Sequence, residues 1–271
     1  MNRILFASDL TERSRRAGQR ARMLQRRFGG QLTALHVIEA DLPETIRQRR
    51  VRDAEEMLRA TLEPDHAEAG ESLPQITAVP GVDHKVIAEN AEAHDLVVLG
   101  THRAHFLDDF IGTTTERVLR ATARPVLVVN DEPFADYRRV MIAVDFYPSS
   151  RRAATAAAWL ASDAQFFLVN AHDVPFSGYM TDAARREAAR DPAIQAALDE
   201  IEAGLPRTAD ARLVRVGEPA PTIRKACAEM NADLVVLATR NRRGLTRAFL
   251  GSVAEQVLAD PPCDVLVVRA Q

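Results

Sequence analysis

The stretch ILFASD, residues 4 to 9, returns as MIAVDF at residues 141 to 146, and that recurrence decides the fold. Each is a short, nearly continuous apolar run that reaches an aspartate, Asp9 or Asp145. Such runs, without polar alternation, suit strands of a parallel sheet buried on both faces. Further along, LTALHV (Leu32 to Val37) is answered by FLVNAHD (Phe167 to Asp173), which sets His36 against His172 at the 136-residue separation of the two aspartates. Gly81 and Gly217 keep that separation. DLVVLG from Asp95 and DLVVLA from Asp233 lie 138 apart, and the VLVV runs at Val126 and Val265 lie 139 apart. A period this long means two whole domains in tandem, expected at residues 1–132 and 138–271. The stretch from Asn130 to Arg139, with Pro133 and several charges, reads as the linker.

Each half alternates strand and helix patterns. The first predicts strands at Ile4 to Ser8, Leu32 to Val37, Gln75 to Val79, Leu96 to Gly100 and Val126 to Val129. The second predicts them at Val140 to Val144, Phe166 to Ala171, Arg212 to Val216, Leu234 to Ala238 and Val265 to Val268. Right-handed crossovers then give an α/β fold of two doubly wound domains. Each is a five-stranded parallel sheet of order 3-2-1-4-5 with helices on both faces.

Composition narrows the class. The 271 residues are 46% hydrophobic and 27% charged, ordinary for a globular protein. A net charge of −3 argues against a nucleic-acid binder. Residues 1–136 carry 18 basic and 22 acidic side chains, residues 137–271 carry 17 and 16, so the halves differ electrically on one plan. The arginines between Arg13 and Arg27 read as a solvated helix face. No apolar run is long enough to cross a bilayer and Met1 to Phe6 has no signal-peptide layout, so a cytoplasmic location is expected. Cys227 and Cys263 are too few for a disulfide framework and read as core thiols.

In open parallel sheets, ligands bind beyond the carboxyl ends of the strands where the order reverses. Four segments fall there: the turn after the first strand, the end of the second, the loop after the fourth, and the helix start that follows. In the second half the last two read ATRNRRGLTRAFLGSVAEQVL, Ala238 to Leu258. Gly251 and Ser252 precede the apolar-periodic Val253 and Val257, so Ser252 is expected as N-cap, with the exposed N–H groups forming an anion site.

The strand-to-Asp opening, the His near the end of the second strand, the loop into GSVAEQVL and the closing VLVV resemble the universal stress protein family over nearly the full length of both halves. The resemblance implies an ATP loop of the form G-x2-G-x9-G-[ST], and pairing of domains through their last strands. Met inside one chain, by Val126 to Val129 against Val265 to Val268, that pairing makes an intramolecular pseudo-dimer, with homodimerisation open. The second half carries Ala238 and Asn241 at the two loop glycines and keeps Gly251-Ser252 at the required spacing; Ala143, Asp145, Arg240 and Val253 complete its ATP candidates. The first keeps Gly100, has Arg103 at the second glycine, and reaches Gly112-Thr113 one residue early; Asp9 and Val37 join them as weaker candidates.

Charge separates the two loops. Arg240, Arg242, Arg243 and Arg247 suit phosphate oxygens, whereas Asp108 and Asp109 repel them unless a divalent cation intervenes. The family's adenine-contacting position is expected at Val37 in the first half and Asp173 in the second. Asp9 and Asp145 have two open readings, holding the adenosine end of a nucleotide or capping the next helix. Gly251-Ser252 likewise reads as a phosphate site or a plain helix start. His102, His105, Asp108 and Asp109 read as exposed loop side chains, with no metal expected.

No glycine-rich loop follows the first strand, and no Walker lysine, nucleophile elbow or zinc-protease helix occurs, so no catalytic residue is assigned. Slow ATP hydrolysis is the most that is expected. Two functions stand: a stress-response regulator binding ATP, with Mg, in its second domain, or a tandem stress protein that binds no nucleotide and works through protein partners or another small ligand.

Overall fold

The opening strand lies fully inside the protein from its second residue: Ile4, Leu5 and Phe6 have no exposed surface, and the same holds for Val140, Met141 and Ile142. The computed structural model describes residues 1–62, 72–101, 113–133, 135–172, 181, 190–239 and 250–269. Two compact units divide near residue 134.

The first unit runs β1 (Arg3–Ser8), α1 (Glu12–Phe28), β2 (Gln31–Ile38), α2 (Glu44–Leu62), β3 (Gln75–Pro80), α3 (Asp83–Ala91), β4 (Leu96–Gly100), α4 (Thr114–Ala121) and β5 (Val126–Val129). The second runs β6 (Arg139–Val144), α5 (Pro148–Leu160), β7 (Gln165–His172), α6 (Pro192–Glu202), β8 (Ala211–Val216), α7 (Pro219–Met230), β9 (Leu234–Thr239), α8 (Ser252–Ala259) and β10 (Asp264–Arg269). Ladder pairs are parallel, in the order β3-β2-β1-β4-β5 in the first unit and β8-β7-β6-β9-β10 in the second. Each is the 3-2-1-4-5 order expected. β4, β5, β9 and β10 bury both faces, which is why they spell LVVL and VLVV.

Small residues let helices lie close on the sheets. Ala17 and Ala21 of α1 and Ala153, Ala154 and Ala157 of α5 are buried. At the amino ends of the strands, one aspartate per unit fastens the first strand to the fourth. Asp95 accepts from the backbone N–H groups of Asn2 (2.8 Å) and Arg3 (3.0 Å), and Asp233 from those of Arg138 (2.8 Å) and Arg139 (3.0 Å). The amide bonds from Asn2 and Arg3 hold the Asp95 carboxyl below its ordinary range.

One register differs from the sequence reading. Ser8 pairs with His36 in β1-β2, whereas the matching Val144 pairs with Asn170 in β6-β7. The second strands therefore superpose at a separation of 134, so His36 corresponds to Asn170, not His172. Val37 corresponds to Ala171, not Asp173. A slip of two preserves which side chains face which side, so apolar pattern alone cannot see it.

Candidate functional site

β1 lies between β2 and β4, and β6 between β7 and β9, so each unit reverses its strand order beside its first strand. The turns there share one construction. The residue after each aspartate, Leu10 (φ 62°) or Phe146 (φ 59°), is left-handed, uncommon for a side chain of that size. In the first unit Asp9 Oδ1 accepts from the Thr11 backbone N–H (3.0 Å), the Thr11 hydroxyl (2.6 Å) and the Ser14 hydroxyl, while the Asp9 N–H donates to Ser14 Oγ (3.1 Å). In the second, Asp145 Oδ1 accepts from the Ser150 hydroxyl (2.6 Å) and the Tyr147 N–H (3.3 Å), and the Asp145 N–H donates to Ser150 Oγ (3.0 Å). Ser14 and Ser150 are buried and reciprocate with the aspartates, a partnership the sequence reading missed. The N-caps are Thr11 and Tyr147, so neither aspartate is itself the cap.

Equivalent side chains cross from the second strand to the end of the first. His36 Nδ1 lies 2.8 Å from the Ser8 carbonyl, and Asn170 Nδ2 donates to the Val144 carbonyl at 2.8 Å. Because a carbonyl only accepts, His36 Nδ1 carries a hydrogen in that bond.

In the first unit a cavity of about 180 Å³ opens at this point, and its lining includes Asp9, His36, Val37, Asp83, Gly100 and Thr114. It brings together three of the weaker candidates, Asp9, Val37 and Gly100. Thr113 sits beside it as N-cap of α4, its hydroxyl accepting from the Glu116 N–H at 3.2 Å. Gly100 is a packing glycine: a Cβ there would lie 2.9 Å from the Arg13 carbonyl oxygen.

Asp83, which motif reading passed over, contributes a second carboxylate. Its Oδ2 accepts from the Thr114 hydroxyl (2.6 Å), and its Oδ1 accepts from the His84 backbone N–H (2.6 Å) and lies 3.2 Å from the His84 Nδ1. Burial pushes the Asp83 carboxyl up, but these bonds outweigh it and hold the group below its ordinary range. The signal available in sequence was the contrast after the third strand, Gly81-Val82-Asp83 against Gly217-Glu218-Pro219.

In the second unit Ala143, Asp145 and Ala238 lie at the carboxyl ends of neighbouring strands, β6 and β9. Gly251, not Ser252, is the N-cap of α8; its carbonyl accepts from the Glu255 N–H at 3.0 Å and, as a glycine, it has no side chain of its own to cap the helix. Ser252 is instead the first helical residue, exposed, with Val253 next. Gly251 has φ 96°, which a residue with a Cβ adopts only under strain. Arg240, Asn241 and Gly112 lie outside the described residues, as do Asp173, the other three loop arginines and the acidic loop of the first unit.

The profile of the universal stress protein family matches residues 1–130 and again residues 136–269. The chain belongs to the universal stress protein family. A Thermus aquaticus universal stress protein is 33% identical over 139 residues, 49% of this chain and 99% of that one. Universal stress protein E of Escherichia coli K12 is 26% identical over 192 residues, a match spanning 65% of this chain and 61% of that protein. Among solved structures, a universal stress protein from Archaeoglobus fulgidus superposes with a TM-score of 0.68, covering 99% of this chain and 98% of the other at 17% identity. The tandem organisation read from the repeat is that of two universal stress domains in series, in a family named for stress response. Among the described residues no helix is long and apolar enough to cross a membrane.

Proposed function

We propose that the protein is a regulatory universal stress protein whose second unit binds ATP or a closely related nucleotide, with magnesium, and signals occupancy to protein partners through the loop before α8. The observation that carries this reading is the start of α8. An N-cap glycine in a left-handed conformation, which has no side chain of its own, places the first backbone N–H groups at the positive end of a helix beside the strand-order reversal. Arg240, Arg242, Arg243 and Arg247 precede it in sequence and supply guanidinium groups suited to phosphates. At the other end of the site, Asp145 suits ribose hydroxyls. Ala171, a small apolar residue, stands where Val37 stands in the first unit. The activity proposed is binding rather than catalysis, in a cytoplasmic protein.

The test is mass spectrometry of the denatured purified protein for carried-over nucleotide, together with a thermal-shift titration of ATP and magnesium. Saturable binding lost in Gly251→Val supports the reading. No bound nucleotide and no shift at millimolar ATP overturns it, in favour of a tandem stress protein that works through partners or another small ligand.

A further inference from the structure

The two units differ most sharply where the helices after the third and fourth strands begin. In the first, one carboxylate spans both starts. Asp83 is the first residue of α3, its Oδ1 takes the N–H of the next residue, and its Oδ2 takes the hydroxyl of Thr114, the first residue of α4. In the second, the matching helix α7 begins with Pro219, which has no charge to offer, and the side chain of Glu218 before it is exposed and makes no capping bond. The N-cap of α8 is Gly251, which has no side chain to cap with.

A helix start is the place where a fold receives an anion, because unpaired N–H groups and the dipole both favour negative charge. In the first unit such an anion is already covalently present. A phosphate brought to α4 would meet the Asp83 carboxylate at short range and Asp9 across the same cavity. We propose that Asp83 is a built-in anion that occupies the phosphate position of the first unit and restricts the adjoining cavity to ligands carrying no phosphate group. The bonds to Thr114 and His84 keep it ionised, so exclusion persists at neutral pH. The cavity's remaining polar lining includes the hydroxyl-bearing Ser8, Ser14 and Thr115 along with His36, groups that suit a hydroxylated or amine-bearing molecule. This assignment concerns the first unit alone and does not rest on nucleotide binding by the second.

The experiment is a titration of the isotopically labelled full chain with inorganic phosphate at constant ionic strength, read at the backbone amides of Thr114, Thr115 and Glu116. Asp83→Asn keeps an acceptor near Thr114 but removes the charge, and is expected to bind phosphate there at least about tenfold more tightly than the unaltered chain. Thr114→Val keeps the carboxylate and is expected to stay unresponsive. Asp83→Ser serves in place of Asp83→Asn if that variant does not fold. An equal response in the unaltered chain and the charge-removing variant overturns the proposal, as does no response at those amides in any variant. A response confined to Val253 and Ala254 belongs to the second unit and overturns the assignment of Asp83 while leaving the nucleotide reading intact.

Discussion

The turn after the first strand and the helix start after the fourth belong to one site in each unit, yet across the two units the first is almost unchanged and the second is rebuilt. Asp9 with Ser14, and Asp145 with Ser150, make the same reciprocal pair of hydrogen bonds beside a left-handed residue, Leu10 or Phe146. At the helix start, by contrast, α4 has a threonine cap and a carboxylate partner where α8 has a bare glycine. The turn sets the geometry of the rim in both units. The helix start sets the charge that each rim tolerates, and can change without disturbing the sheet.

The largest break in this comparison is expected at the two residues that fill the first glycine position of the loop motif. Gly100→Ala places a carbon against the Arg13 backbone and should cost the first unit about 2–3 kcal/mol, since rigid backbone must shift. Ala238→Gly in the second unit should cost no more than about 1 kcal/mol. Native-state hydrogen exchange in urea, read separately for β1 and β6 amides, measures both.

A smaller and symmetrical effect is expected from the turns. Ser14→Ala and Ser150→Ala each remove a buried hydroxyl bonded to an aspartate and should cost about 1–2 kcal/mol apiece. Clearly unequal losses in the same exchange experiment would mean that the turns are not the common part of the two sites.

At the helix starts the asymmetry returns in milder form. Thr113→Ala removes a side-chain cap and should cost about 1 kcal/mol, whereas Ser252→Ala should change stability by less than about 0.5 kcal/mol because Ser252 is an exposed first helical residue. Comparable losses from both would return Ser252 to the N-cap position that its sequence context suggests.

The finest contrast is one of direction. The folded state lowers the Asp83 pKa, so this group adds stability above the ordinary carboxylate pKa of about 3.9, and that stability is lost as pH falls from there through the lower folded value. Asp83→Asn should therefore be less stable than the unaltered chain at neutral pH and converge with it as pH falls below about 4. Urea denaturation across that range checks the sign. Pro219 gives the second unit no titrating group at this place.

The strands and their order were legible because burial on both faces writes itself as uninterrupted Val, Ile and Leu, and because every pattern occurs twice. The phase of the second strand was not. Its apolar residues match equally well after a slip of two, and the His-to-His coincidence at residues 36 and 172 favoured the wrong choice. Only the ladder, with Asn170 bonded to the end of β6 as His36 approaches the end of β1, identifies the equivalents. Motif reading singled out Asp9, Val37 and Gly100, which line one cavity. Asp83 was not singled out, because it comes after the third strand, whereas the motif is written after the fourth, and only folding brings α3 and α4 together at Thr114. Ser14 and Ser150 escaped for a simpler reason: a serine in the first turns of a helix looks like any other until its acceptor is known.

Leu10 and Phe146 share a backbone conformation that neither side chain favours, and they differ in shape, size and aromaticity. The backbone there behaves as a fixed mount on which the side chain is interchangeable. Substitution at these two positions thus offers a way to alter the chemistry presented at the rim of either unit while the strand, the aspartate and the following helix stay in place. A glycine at either position would relieve the backbone and leave the mount bare.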